Sequence, residues 1–141
     1  MTSNSTDNDN RSLTTLADGE HAIEVLVETS YLAVQSEPAD KQYVFSYTIT
    51  IENQGRLNAQ LVSRRWEITD ANGKVQEVEG PGVVGEQPLI KPGEAFRYSS
   101  GAMLETPVGS MQGHYCMRAD DGSEFKAIIQ PFTLACPGVL N

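Results

Sequence analysis

From Tyr43 to Ile51 the chain reads YVFSYTITI: Tyr43, Phe45, Tyr47, Ile49 and Ile51 alternate with Val44, Ser46, Thr48 and Thr50. A period of two sends the larger residues to one face of a β-strand, and β-branched and aromatic side chains suit that pleated surface. No 3.6-residue apolar stripe of helical length competes with this pattern anywhere in the chain. The sequence therefore points to an all-β architecture.

The rest of the chain repeats the theme. Ile23, Val25, Val27, Thr29 and Tyr31 alternate with Glu24, Leu26, Glu28 and Ser30. SEPADKQ and ENQGRLN read as polar turns on either side of the Tyr43 strand. A third strand, Leu61 to Thr69, puts Val62, Arg64, Trp66 and Ile68 on one face. Arg64 is awkward there: its side chain snorkels to the rim, or a bulge shifts the register. Asn72-Gly73 is a hairpin signal, with Lys74 to Glu79 as the returning strand. Phe96 to Ser100, Gly113 to Ala119 and Phe125 to Ile129 read as further strands, with ADDGS as the turn between the last two. Phe132 and Leu134 continue the last strand beyond Pro131, which requires an edge or a bulge. About seven or eight antiparallel strands, with turns every ~8–12 residues, predict an immunoglobulin-like β-sandwich. Lacking a Cys–Trp–Cys spacing, it suits a fibronectin type III-like arrangement better than an antibody-type domain.

The chain has 141 residues, 39% of them hydrophobic, which suits one domain with a true core. Met1 to Gly19 is rich in Ser, Thr, Asn and Asp. Such a segment buries too little surface to offset its ordering entropy and is predicted to be a disordered tail, leaving 20–141 as one sandwich domain. The net charge is −9. An acidic surface repels nucleic acid and anionic lipid and attracts cations or basic partners. No apolar run reaches the ~18 residues of a spanning helix, and the N-terminus lacks a signal-peptide pattern, so a cytoplasmic protein without membrane insertion is expected. Cys116 and Cys136 are expected to be reduced thiols, with Cys116 packed as a small hydrophobe.

EGPGVVGEQP contains Gly80-x-Gly82-x-x-Gly85, the glycine spacing of a dinucleotide-binding turn. Its context fails that fingerprint. No helix opens within it, Pro88 and Pro92 follow closely, and Glu86 would repel a phosphate. Three readings stay open: a plain turn, a backbone nest for an anion with Arg64 or Arg65 nearby, and a partner-binding loop. The candidate loop is therefore Gly80, Gly82, Gly85 and Glu86 with Arg64 and Arg65. His114 and Cys116 share a strand face and would chelate a metal only if Cys136 or an acid completed the set. Asp120, Asp121 and Glu124 flank a hairpin turn, where Asp and Gly are expected anyway. No Gly-x-Ser-x-Gly elbow marks a nucleophile among Ser99, Ser100 and Ser110. A phosphohydrolase would lack both metal ligands and a phosphate-gripping lysine.

The segment SRRWEITDANGKVQEVEGPGVVGEQPLIKPGEAFRYSSG, followed by LETPVGSMQGHYCM and GSEFKAIIQPFTLACP, resembles the ApaG family from about Gly19 to Pro137. The resemblance implies a fibronectin type III-like sandwich and links to cobalt resistance and magnesium efflux. The family also includes domains appended to eukaryotic F-box and polymerase-associated proteins, and its bacterial gene often neighbours one for a dinucleoside tetraphosphatase. No enzymatic activity or cofactor comes with it. Ala102-Met103 stands in SGAML where Cys-Pro is common in the family, so no thiol chemistry carries over to that position. What is expected is a non-catalytic binding or adaptor sandwich with a protein partner. The alternative is a small-ligand protein holding a divalent cation or pyrophosphate at the glycine loop.

Overall fold

The computed structural model describes residues 10–15 and 22–139. Its strands are β1 (Asn10–Thr15), β2 (Ala22–Tyr31), β3 (Tyr43–Asn53), β4 (Ala59–Asp70), β5 (Val75–Pro81), β6 (Leu89–Ile90), β7 (Ala95–Leu104), β8 (Val108–Ala119) and β9 (Glu124–Ala135). One antiparallel sheet has the order β1-β2-β3-β7, and the other β5-β4-β8-β9 with β6 also on β4. The helical content of the described residues is two three-residue 3-10 turns, Ala33–Gln35 and Pro38–Asp40. None is a helix long and apolar enough to cross a membrane. The architecture is an immunoglobulin-like β-sandwich of fibronectin type III kind.

Alternation builds the core. Ile23, Val25, Val27, Phe45, Tyr47, Ile49 and Ile51 are buried from the first sheet, and Trp66, Met111, Tyr115, Met117, Ile129 and Leu134 from the second. Trp66 stands edge-on to Tyr47, Tyr115 and Phe132, joining the two layers. Both hairpin turns in the second sheet are three-residue loops. Gly73 donates to Asp70 O and Asp70 to Lys74 O; Gly122 donates to Ala119 O and Ala119 to Ser123 O. Gly73 and Gly122 both take φ 86°, the left-handed position such loops require.

Four expectations need correction. Within the segment predicted to be disordered, Asn10–Thr15 forms a strand paired with β2 from Asn10↔Val27 to Thr15↔Ala22. Edge pairing uses backbone groups, which a polar composition leaves available. The rest of Met1 to Gly19 lies outside the described residues. Val62 does not share the face of Trp66, because a bulge between Leu61 and Ser63 resets the alternation and buries Leu61 instead. Cys116 is half-buried on the outer face of β8, since Tyr115 and Met117 take the core side. Finally, β7 and β8 are longer than expected, so Ala102 and Met103 lie in a strand and not in a loop. At Pro131 both permitted solutions occur together: β9 is an edge strand, and its register on β8 shifts between Phe132 and Ile129.

Candidate functional site

The glycine loop is built around the β4 bulge. β5 follows β4 as far as Ser63↔Pro81, and beyond the loop β6 pairs with Ala59 and Gln60. Between them the chain bridges the bulge. Gly82 N–H and Gln87 Nε2 both donate to Val62 O, and Leu61 N–H donates to Pro88 O. Val83 is fully buried and plugs the core. Val83 and Glu86 exchange both backbone hydrogen bonds, at 2.8 and 2.9 Å, around Val84 and Gly85. Those two residues take φ 43° and 82°. A two-residue connection with positive φ at both positions is a type I′ turn. A Cβ on Gly82 would lie 2.0 Å from Glu86 O, so that glycine is required by contact as well as by its φ of 59°.

The two arginines part company here. Arg64 lies along Gly80 and donates from Nη1 to Pro81 O at 3.1 Å and to Gly82 O at 3.0 Å. Its charge thus caps carbonyls of the loop itself. Arg65 points to the opposite face, where it pairs with Glu79, with Glu77 at 3.3 Å and with Glu67 at 3.9 Å. Gly80, Gly82 and Arg64 are brought together, while Gly85 and Glu86 sit at the exposed tip and Arg65 belongs to the outer face.

That outer face carries the other candidates. Arg65 lies opposite His114 and Ser63 opposite Cys116, with Ile128 and Lys126 next across on β9. Ser63, Arg64, Arg65, Glu79, Gly80, His114 and Cys116 line a shallow groove of about 310 Å³. Burial lowers the His114 pKa, helped by Lys126 and Arg65 and opposed by Glu79. Cys136 is not part of the groove: it follows β9 and its thiol lies beside Tyr31, with burial raising its pKa. Among the described residues, no three His, Cys, Asp or Glu side chains gather as a metal site. Asp121 accepts from Ser123 N–H and Oγ, and Glu124 pairs with Arg118 at 3.1 Å.

The geometry supplies groups that sequence reading missed. Glu77 and Glu79 face Arg65 because the hairpin turn fixes the register, and counting outward from Asp70 and Lys74 finds both. The hydroxyls of Tyr98 and Tyr115 meet at 2.5 Å between the sheets, and burial holds both phenols well above their usual range. No alternation signal announces that pair.

The family model described as the ApaG domain matches residues 33–119 of the chain. The chain belongs to the ApaG family. It is 61% identical over 127 residues to Protein ApaG of Thiobacillus denitrificans, covering 89% of this chain and 100% of that protein. It is 57% identical to Protein ApaG of Stenotrophomonas maltophilia over 121 residues, 86% of this chain and 95% of that one. A crystal structure of a Bordetella pertussis protein named ApaA superposes with a TM-score of 0.82 at 47% identity, covering 84% of this chain and 97% of that one. The glycine loop, Arg64, Arg65, His114 and Cys116 all fall within the ApaG domain match.

In this ApaG-family sandwich the His114 ring provides a direct check on the outer face. Its NMR titration midpoint is expected below the ordinary 6.5, to fall further in Glu79→Gln and to rise in Lys126→Gln. The sign for stability follows: above pH 6.5 both states are neutral and the contribution is full. As pH falls toward the depressed folded pKa, the unfolded chain takes a proton first and stability declines. A midpoint at or above 6.5 contradicts the assignment.

Proposed function

We propose that this ApaG-family chain is a non-catalytic binding module that takes a protein partner along the β5–β6 side of its second sheet. One observation carries the reading. Val84 is β-branched, sits at φ 43°, and is 55% exposed at the tip of the glycine loop. Left-handed backbone costs an L-residue ~1–2 kcal/mol, and an exposed isopropyl group returns no packing. Strain of this kind clusters at contact surfaces and ligand clamps. Val75, Val78 and Leu89 are further exposed apolar residues on the strands before and after it.

Val84→Asn tests this with two opposed readouts. It places asparagine before Gly85, the dipeptide type I′ turns favour. Urea unfolding is expected to show a gain of ~1 kcal/mol, while partner recovery after crosslinking in native lysate falls. Unchanged recovery, or no reproducible partner for the unaltered chain, sinks the reading.

On this reading the links to cobalt resistance and magnesium efflux expected from the resemblance would run, in the cytoplasm, through that partner. Lys126 lies across from Cys116, and its charge opposes a metal ion beside that thiol. A second reading, pyrophosphate or a divalent cation at the glycine loop, has one observation in its favour. Among the described residues, Arg64 has no carboxylate at ion-pair distance. Calorimetry separates the two. Pyrophosphate binding tighter than ~1 mM, lost in Arg64→Gln, favours the second; no heat from pyrophosphate, Mg²⁺ or Co²⁺ removes it.

A further inference from the structure

We propose that the free edge of β5 is a strand-addition site for an extended peptide segment that alternates basic and apolar residues. The inference rests on the binding-module reading and gives that module a partner chemistry.

The register decides which backbone groups are available. Asp70 and Lys74 form a hydrogen-bonded pair at the hairpin end. In an antiparallel ladder such pairs recur at every second position, so Ile68↔Gln76, Trp66↔Val78 and Arg64↔Gly80 are the bonded pairs of β4 and β5. The N–H and C=O groups of Val75, Glu77 and Glu79 therefore point away from β4. Pro81, which has no N–H, falls at another outward position, where it costs the ladder nothing. Among the described residues β4 is the strand that pairs with β5, and β5 ends the sheet order. Every residue of β5 except Gly80 is exposed.

Apart from its two glutamates, this edge lacks the usual protections. Natural edges are blunted by lysine, proline, bulges or cover. β9, the opposite edge of the same sheet, has a bulge at Gln130-Pro131. β5 has no lysine, and its proline is its last residue. Its two faces prescribe an occupant. Val78 lies on the Trp66 side, 38% exposed, and offers an apolar contact to an added strand. Glu77 and Glu79 lie on the other side, where Glu67, Glu77 and Glu79 share the single Arg65 guanidinium. Three carboxylates on one cation leave that face negative, so an added strand is favoured there by Lys or Arg. The same glutamates select against a second copy of this chain. Two β5 edges laid antiparallel would set Glu77 and Glu79 against glutamates of the partner strand, and like charges directly opposed are destabilising. The chain's net charge of −9 adds to that repulsion and draws a basic segment at long range.

The test uses the full chain, isotopically labelled, and capped peptides of alternating lysine and valine. The expected result is that the amides of Val75, Glu77 and Glu79 shift and gain exchange protection with the lysine–valine peptide. A glutamate–valine peptide should do neither. The double variant Glu77→Gln/Glu79→Gln should weaken binding about tenfold without moving the far edge. Glu77→Pro removes an outward N–H that β4 does not use and should abolish binding; unchanged core resonances certify its fold. Equal binding of both peptides, shifts confined to β7 or β9, or self-association through β5 in sedimentation overturns the assignment. Lysate partner recovery that survives Glu77→Pro also overturns it, while leaving the module reading intact. Recovery of no partner by any form of the chain overturns the module reading itself.

Discussion

Urea unfolding of Gly82→Ala is expected to show a stability loss of about 3 kcal/mol, against about 1–2 kcal/mol for Gly85→Ala. Both glycines have positive φ, 59° and 82°. Only Gly82 is also crowded. A Cβ there meets Glu86 O at 2.0 Å and Glu86 C at 2.8 Å, whereas nothing lies within 4 Å of one at Gly85. Backbone cannot swing aside as a side chain can. Relieving the overlap would move the Val83–Glu86 pair and draw the buried Val83 out of the core. The loss at Gly82 thus combines backbone strain with a cavity. Equal losses at the two positions would show that the loop yields freely, contrary to its dense bonding to Val62 and Leu61.

Trp66→Ala is expected to cost about 3–5 kcal/mol, a large share of the ~5–15 kcal/mol that holds a domain folded. Trp66 is 2% exposed and contacts rings from both sheets: Tyr47 from β3, Tyr115 from β8 and Phe132 from β9. Truncation opens a void where the layers are knit together, and three edge-on ring contacts vanish with it. Trp66→Phe keeps a ring and should lose distinctly less. Circular dichroism in urea gives the comparison, since this is the chain's one tryptophan and its fluorescence disappears with it. A loss below ~2 kcal/mol would mean the core collapses around the gap.

The fold was legible wherever one face is buried without interruption. Ile49 and Ile51 announce β3 because period two survives along it, and Val25 and Val27 announce β2 although Glu24 beside them is also buried. The turns at Gly73 and Gly122 were legible because left-handed backbone selects glycine. Legibility failed where the chain changes phase or relies on backbone alone. The β4 bulge exchanges Leu61 for Val62 in the core, which strict alternation cannot foresee. The second half of β7, Gly101 to Leu104, pairs fully with β3 although few of its side chains are buried. β1 is recruited by pairing with β2, without an apolar pattern in its sequence. Of the candidate site, the glycine loop was visible as a turn. That Arg64 caps it and Arg65 turns away was not, because the bulge lies between the arginines and the start of their strand.

The bond between Tyr98 and Tyr115 has a mechanical consequence. It joins β7 of one layer to β8 of the other through a dry interior, where Tyr115 is 0% and Tyr98 7% exposed. Oily contacts are non-directional and tolerate sliding, but a hydroxyl pair is lost once its oxygens drift beyond ~3 Å. Slipping one layer by a single two-residue repeat, roughly 7 Å, would strand both hydroxyls without water or partner. The two phenols act as a dowel between the layers, and the stagger of the sandwich is pinned at that point.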